Sequence, residues 1–360
     1  MIISDIEFIL VLGLVFILFL KGLRKRTVPE SIFRLDKSMS VGLKGFSCIL
    51  ILIAHFYNMY HWNDNHSISW LHFSKICGNF SANIALVIFM FISGYGLSKS
   101  HYNNETFISF FKNRIWKVYY PLLIVSIISI ILYFIIPTNI ISISELQSHR
   151  LPNIIYKCHY ISIYFKEIIS FALGYLDWYV LCIIIFYIFF WLSKKLIPPT
   201  NETTRYNNSI LLLCILILYY FLMYHFIDDN LAHYYRFPWA FFAGHYIANY
   251  TIYSTKEKYK IGILFILFTL VSFLNENLIQ IISWLVALSI LTLVFIINKK
   301  YSLQGKYIQT LGNISYYVYL THVRVAFVII FFLGLHSLFL ATFITIIISY
   351  IIYKMSNKLL

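Results

Sequence analysis

The sequence contains several stretches of up to twenty mostly apolar residues without a charged side chain. Clear examples are 118–136, 210–227, 278–297 and 338–353. A helix of about 20 such residues is long enough to cross the hydrocarbon core of a bilayer. The whole chain is 60% hydrophobic and 12% charged, whereas soluble domains are about half apolar and about a quarter charged. These features predict an all-α polytopic integral membrane protein.

The Lys and Arg residues alternate between the two sides of the predicted spans. Of the 28 Lys and Arg residues, all but six lie in alternate connections and in the C-terminal tail. Because cytoplasmic connections carry such an excess, we place the C-terminus in the cytoplasm and the N-terminus outside the cell membrane. The eleven predicted spans are about 2–20, 42–60, 81–98, 118–136, 175–193, 209–227, 237–253, 260–275, 278–297, 314–333 and 336–353.

Three regions follow from this organisation. Residues 1–33 form an anchor helix and a basic cytoplasmic linker, 34–353 form the transmembrane domain, and 354–360 form a cytoplasmic tail. The first span lacks a basic leader and a small-residue cleavage site, which favours a retained helix over a secretory signal. The only long connection, 137–174, is predicted outside, either as a lid or substrate platform or as an interfacial helix without a chemical role.

The net charge of +14 does not indicate a nucleic-acid partner, because the basic residues lie in short connections rather than on one surface. We interpret them as orientation signals first and as anion ligands second. No Cys/His cluster has the spacing of a metal site, so no metal is predicted. Among the cysteines, Cys77 and Cys158 fall in predicted outer connections where a disulfide is one possibility. We interpret Cys48, Cys182 and Cys214 as small core residues.

Ionisable groups inside lipid are costly, so each one is a functional candidate. The candidates are His55, His245, His322 and Arg324, with Lys44 at the cytoplasmic end of its span. Lys44 and His55 are eleven residues apart, which is about three helical turns and roughly 16 Å along one face. This arrangement suits a long ligand whose anionic head lies in the cytoplasm and whose reactive end lies deep in the bilayer.

A set of motifs in a fixed order resembles the membrane acyltransferase-3 family over about residues 34–335. The first is Lys44, ten intervening residues and His55. The others are FMFISGY at 89–95, FFKNRIWKVYYP at 110–121, WY at 178–179, FFAG at 241–244 and LGNISYYVYLTH at 311–322.

The resemblance implies a ten-helix core, here with an extra N-terminal helix, and acyl-CoA, often acetyl-CoA, as donor. It also implies surface polysaccharides as acceptors and His55 as the catalytic base, a role for which neutral imidazole is well suited. The phosphates of CoA are expected to contact Lys44, Arg114 and Lys117. Two of these depart from the family, which usually has Arg at the positions of Lys44 and Lys117, and Lys lacks the bidentate fork of Arg.

The remaining candidates keep two readings each. His322 either orients the thioester carbonyl or pairs with Arg324. His245 is interpreted as structural, and Ser93 as a packing contact rather than a nucleophile. The Trp178-Tyr179 pair either contacts substrate or anchors the end of its span at the interface.

The leading hypothesis is a bacterial O-acyltransferase, by default an O-acetyltransferase. It moves the acyl group from cytoplasmic acyl-CoA to a hydroxyl of an extracytoplasmic glycan or other cell-envelope acceptor. We favour direct attack over a covalent acyl-enzyme, because His55 is the best supported catalytic residue. The alternative is a secondary transporter or channel, although the paired broken helices of transporter folds are not evident. A non-catalytic membrane scaffold is a third possibility.

Overall fold

The computed structural model describes most of the predicted transmembrane domain. The predicted outer connection 137–174 and the side chains of Cys77 and Cys158 lie outside the described residues. The described residues are 2–29, 34–60, 73–100, 105–135, 178–226, 235–249, 255–273, 278–335 and 337–359.

Eleven helices of twelve residues or more account for nearly all of the described chain, together with one short helix, α4. Each of the eleven coincides with one predicted span. The helices are α1 (Ile2–Gly22), α2 (Lys37–Tyr60), α3 (Phe73–Lys99), α4 (Phe107–Phe110), α5 (Trp116–Ile135), α6 (Trp178–Leu196), α7 (Glu202–Phe226), α8 (Pro238–Asn249), α9 (Thr255–Phe273), α10 (Leu278–Lys300), α11 (Lys306–Phe327) and α12 (Leu338–Leu359).

Seven of these helices, by the described residues alone, are long and apolar enough to cross a membrane: α2, α3, α6, α7, α10, α11 and α12. The apolar part of α9, Tyr259–Phe273, is shorter. The helical fold is therefore confirmed, and the total of eleven spans stays a prediction. One interpretation was wrong, because Cys214 is exposed on α7 rather than buried in the core.

Helix α2 lies at the centre of the molecule, where it packs most extensively against α11 and α3. Glycines allow the close approach of α2 and α11. A Cβ atom added to Gly45 would lie 2.8 Å from the backbone nitrogen of Gly312, and one added to Gly312 would collide with the Val41 carbonyl oxygen. Small residues let helix backbones come together in a membrane, where apolar side chains are already surrounded by lipid.

The same device joins α3 to α8. A Cβ atom on Gly94 would collide with the Phe241 carbonyl oxygen, and one on Gly244 would collide with the Phe91 carbonyl oxygen. The Ser-Gly-aromatic motif and the Phe-Phe-Ala-Gly motif of the sequence are thus the two sides of one helix contact. Ser93 directly precedes Gly94 and therefore lies beside this contact.

The basic linker after α1 is ordered by a small ribbon, which departs from the all-helical expectation. Strand β1 (Leu23–Lys25) pairs antiparallel with β2 (Tyr301–Leu303). Next to it, Arg26 forms an ion pair with Asp36 and donates a hydrogen bond to the Asn298 side chain. The linker therefore holds the beginnings of α2 and α11 close together on the side predicted to be cytoplasmic.

Helix α1 packs against the bundle along one face, which carries Phe8, Val11, Val15 and Phe19. Its Glu7 carboxylate accepts hydrogen bonds from the Ser337 hydroxyl (3.0 Å) and from the backbone nitrogen of Leu338 (2.6 Å), at the beginning of α12. A carboxylate at this position satisfies backbone groups that a helix N-terminus leaves free. Phe8 also contacts Tyr57 of α2, with 5.9 Å between ring centroids.

We predict that Gly94→Ala destabilises the protein and that Gly96→Ala, two residues away on the same helix, does not. The Gly94 methyl would collide with α8, and overpacking of this kind costs about 1–3 kcal/mol. The space around Gly96 is open to 4 Å, and alanine favours a helix over glycine by about 1 kcal/mol. The stability of both variants is measured by thermal unfolding in detergent, with loss of the monodisperse fraction as the signal. Equal midpoints for the two variants would contradict the close contact.

Candidate functional site

The packing of α2 against α11 brings two predicted site residues together. His55 and His322 each lie ten residues beyond the glycine at which the two helices touch, Gly45 and Gly312. Because the helices run in the same direction, both side chains reach the same depth, about 15 Å further along. Their ring centroids are 4.9 Å apart and the ring planes are inclined by 59°.

His322 is held by its own helix. Its Nδ1 atom lies 2.5 Å from the Tyr319 carbonyl oxygen and 3.1 Å from that of Val318. The side chain is 3% exposed, and its Nε2 atom is buried without a hydrogen-bond partner. Neither reading of this residue, orientation of the thioester carbonyl or pairing with Arg324, is settled by these contacts, and both stay predictions. Arg324 donates a hydrogen bond to the Leu320 carbonyl on the same helix.

His55 has a different environment. The residues of α2 from Ser47 to Ala54 and the next two, Phe56 and Tyr57, are all buried, whereas His55 is partly exposed. Lys44, three turns earlier, is also partly exposed. The face that the spacing assigned to these two residues is thus partly open at both ends, whereas Cys48, Ile51 and Leu52 between them are buried.

A second group of polar residues surrounds the end of this face that is predicted to be cytoplasmic. Lys44 and Arg114 are close enough to repel each other electrostatically. Arg114 also interacts with Tyr187 of α6, and the Tyr187 side chain forms a hydrogen bond with Ser93. Four helical segments therefore meet here, and two of their cations share a partly buried space. We name Lys44, Arg114, Tyr187 and Ser93 the cation cluster.

Arg114 belongs to a π-helical turn, Phe111–Ile115, that joins α4 to α5. Such turns change the direction of side chains and are frequent at functional sites. Arg114 is partly buried, and this desolvation lowers the pKa of its guanidinium. Lys117, which the sequence placed on the same face as Arg114, is exposed. Its contribution to a donor site stays a prediction.

The Trp178-Tyr179 pair begins α6, and Tyr179 lies on the side of the histidine pair. The Tyr179 ring is 5.1 Å from that of Tyr319, which in turn is 5.7 Å from His322. The Tyr179 hydroxyl is buried and has no hydrogen-bond partner. Trp178 stacks on Phe237, with 5.8 Å between ring centroids, and thereby supports the beginning of the helix.

His245 lies apart from the histidine pair and connects three helices. Its Nδ1 atom lies 2.7 Å from the Ser98 hydroxyl of α3, and its Nε2 atom lies 2.9 Å from the Ser209 hydroxyl of α7. The Ser98 hydroxyl also donates to the Gly94 carbonyl, so Nδ1 is the donor toward Ser98. Nε2 then accepts from Ser209, and all three side chains are satisfied. This geometry is typical of a structural histidine.

Sequence reasoning missed Tyr187 and Tyr319, which connect the predicted residues. Both are tyrosines within apolar helices, and the chain has 30 tyrosines, most of which resemble interface anchors. The available signal was the placement of a hydroxyl near the middle of a span rather than at its end.

Taken together, these features define a multi-pass helical membrane protein with a histidine pair at one end of a helix face and a cation cluster at its other end. The sequence profile of the acyltransferase-3 family, described as an acyltransferase domain, matches residues 41–354. The chain therefore belongs to this family of membrane acyltransferases. The matched region begins in α2 and ends in α12, so α1 precedes it. No match was found among curated proteins or among solved structures.

We predict that His245→Ala lowers the free energy of unfolding by about 2–4 kcal/mol, because it leaves a cavity and removes one hydrogen bond each from the Ser98 and Ser209 hydroxyls. His225→Ala, which changes an exposed histidine on α7, serves as the matched control and is expected to change stability by less than about 0.5 kcal/mol. Thermal unfolding in detergent tests both. Full stability of His245→Ala would exclude the bridging role.

Proposed function

We propose that the protein is an O-acyltransferase, and specifically an O-acetyltransferase. It transfers the acyl group of cytoplasmic acetyl-CoA or another acyl-CoA to a hydroxyl of an extracytoplasmic glycan or other cell-envelope acceptor. The observation that carries the proposal is the shared face of α2, which has Lys44 in the cation cluster at one end and His55 against His322 at the other. The family assignment supports the acyltransferase class, and the donor, the acceptor and the residue roles are our inference.

His55 is the general base in this proposal. An alcohol becomes an effective nucleophile when a base removes its proton as the new bond forms. The acceptor oxygen attacks the thioester carbonyl carbon, its proton passes to His55, and the carbon–sulfur bond then breaks. The proton finally moves from His55 to the CoA thiolate. Neutral imidazole accepts and returns the proton in one cycle.

The cation cluster binds the phosphates of the donor. Bringing Lys44 and Arg114 together costs electrostatic energy, and a bound polyphosphate would reverse the sign of that interaction. Arg114 provides planar, paired donors, whereas Lys44 acts as a point charge. The distance of roughly 16 Å from Lys44 to His55 along the helix is suited to the extended arm between the phosphates and the thioester.

Tyr179 is the residue that we assign to the developing oxyanion. Its hydroxyl is buried without a partner and is separated from the histidine pair by one ring, that of Tyr319. A hydroxyl already placed in a dry site stabilises negative charge that appears only in the transition state. This role requires no covalent intermediate on the protein.

We predict that His55→Ala lowers acyl transfer about 10²–10⁴-fold, which is the usual contribution of a general base. The measurement is the acetate released by mild alkali from envelope glycans of cells that express each variant. His225→Ala is the control. A transporter or channel would instead show a change in solute flux with envelope acetate unaffected, and that result would refute the proposed function.

We predict that Lys44→Gln raises the KM for acetyl-CoA about 10- to 100-fold, because it removes a charged contact worth about 1.5–3 kcal/mol. Lys44→Arg keeps the charge and is expected to remain within a few fold of the wild type. Lys195→Gln, which changes an exposed lysine at the end of α6, is the control. The assay follows CoA release in inside-out membrane vesicles. An unchanged KM in Lys44→Gln would remove this residue from the donor site.

A further inference from the structure

The hydrogen bonds of His322 determine which of its nitrogens carries the proton. The Tyr319 and Val318 carbonyl oxygens near Nδ1 can only accept hydrogen bonds, so Nδ1 is the protonated nitrogen. In the neutral ring Nε2 is then an acceptor with a free lone pair. The helix itself therefore fixes the tautomer of His322.

Burial of the Nε2 atom of His322 costs free energy unless a hydrogen-bond donor reaches it. Nε2 has no hydrogen-bond partner, and the side chain is 3% exposed. An unsatisfied buried polar atom costs about 1–3 kcal/mol. The ring packed against it is that of His55, which, unlike His322, is partly exposed. An incoming hydroxyl therefore meets His55 first, with His322 behind it.

The separation of the two rings is compatible with a direct hydrogen bond. A linear N–H···N bond of about 2.9 Å between two imidazoles places the ring centroids roughly 5 Å apart, and the observed separation is 4.9 Å. The rings are inclined in the structure and are not hydrogen-bonded. Alignment therefore requires rotation of the His55 ring, which is partly exposed.

We propose that His322 is a positioning residue for His55, an inference that rests on the proposed function. Nε2 of His322 accepts the N–H of His55, and the other nitrogen of His55 is thereby left unprotonated and directed at the acceptor hydroxyl. The hydroxyl proton moves to that second nitrogen, and His322 keeps its own proton on Nδ1 throughout. His322 thus acts on the reaction through His55 only.

A different role for His322 is direct removal of the hydroxyl proton, and two amide variants separate the roles. Glutamine places a carbonyl oxygen near the position of Nε2, so it accepts a hydrogen bond but is not basic. Asparagine places its amide near Nδ1 and leaves the Nε2 position empty. The two variants are matched in polarity and differ in the one atom that the proposal requires.

The experiment measures acetyl transfer from labelled acetyl-CoA in inside-out membrane vesicles that retain the native envelope acceptor. We expect His322→Asn to lower kcat about 10- to 100-fold with an unchanged KM for acetyl-CoA, as for other residues that orient a reactive side chain. His322→Gln is expected to remain within about fivefold of the wild type. The double variant His55→Ala/His322→Ala is expected to be no slower than His55→Ala alone.

Any other result of this experiment excludes the positioning role of His322. If both amide variants lose activity while their folded levels in detergent are normal, then His322 itself removes the hydroxyl proton. Equal activity of both with the wild type shows that Nε2 is not used, and a double variant slower than His55→Ala shows an independent contribution. In all three cases the wild type still transfers acetyl groups. A folded wild type that transfers none overturns the proposed function, and this role with it.

Discussion

The contact between Gly45 and Gly312 is the constraint on which the rest of the site depends. Two parallel helices that touch at glycine keep their registers aligned, so residues at the same distance beyond the contact lie side by side. His55 and His322 are placed in this way, although their positions in the chain are far apart. Any side chain at either glycine would separate the helices and with them the two imidazoles. The pair is therefore a property of the backbone contact rather than of the histidines' own interactions.

The site combines groups that a membrane interior normally excludes. Two cations are held near each other at one end, and at the other end a ring nitrogen and a phenol hydroxyl are buried without partners. Such arrangements reduce stability, and proteins keep them mostly where activity requires them. The well-packed contacts on either side, at Gly45 and at Gly94, supply the rigidity that keeps these groups in place.

The positions of the helices and one face of α2 could be predicted from the sequence, because both follow from local rules. Hydropathy gives the spans, and helical periodicity places Lys44 and His55 on one stripe. The proximity of His322 could not be predicted, since it depends on which helices become neighbours. Tyr187 could not be identified for another reason, because no sequence pattern distinguishes it from the other tyrosines among the thirty in the chain. Cys214 was assigned wrongly because an apolar span does not show which side faces lipid.

Glu7 has a consequence for how the protein is made. Its carboxylate binds the beginning of α12, so α1 reaches this native partner only when the later helix α12 has been synthesised. Until then an acidic side chain near the beginning of α1 must stay hydrated or find a temporary partner, because a bare carboxylate is costly in lipid. Closure of the bundle is therefore a late, post-insertion event, and a chain truncated before α12 leaves its own N-terminal helix without its anchoring contact.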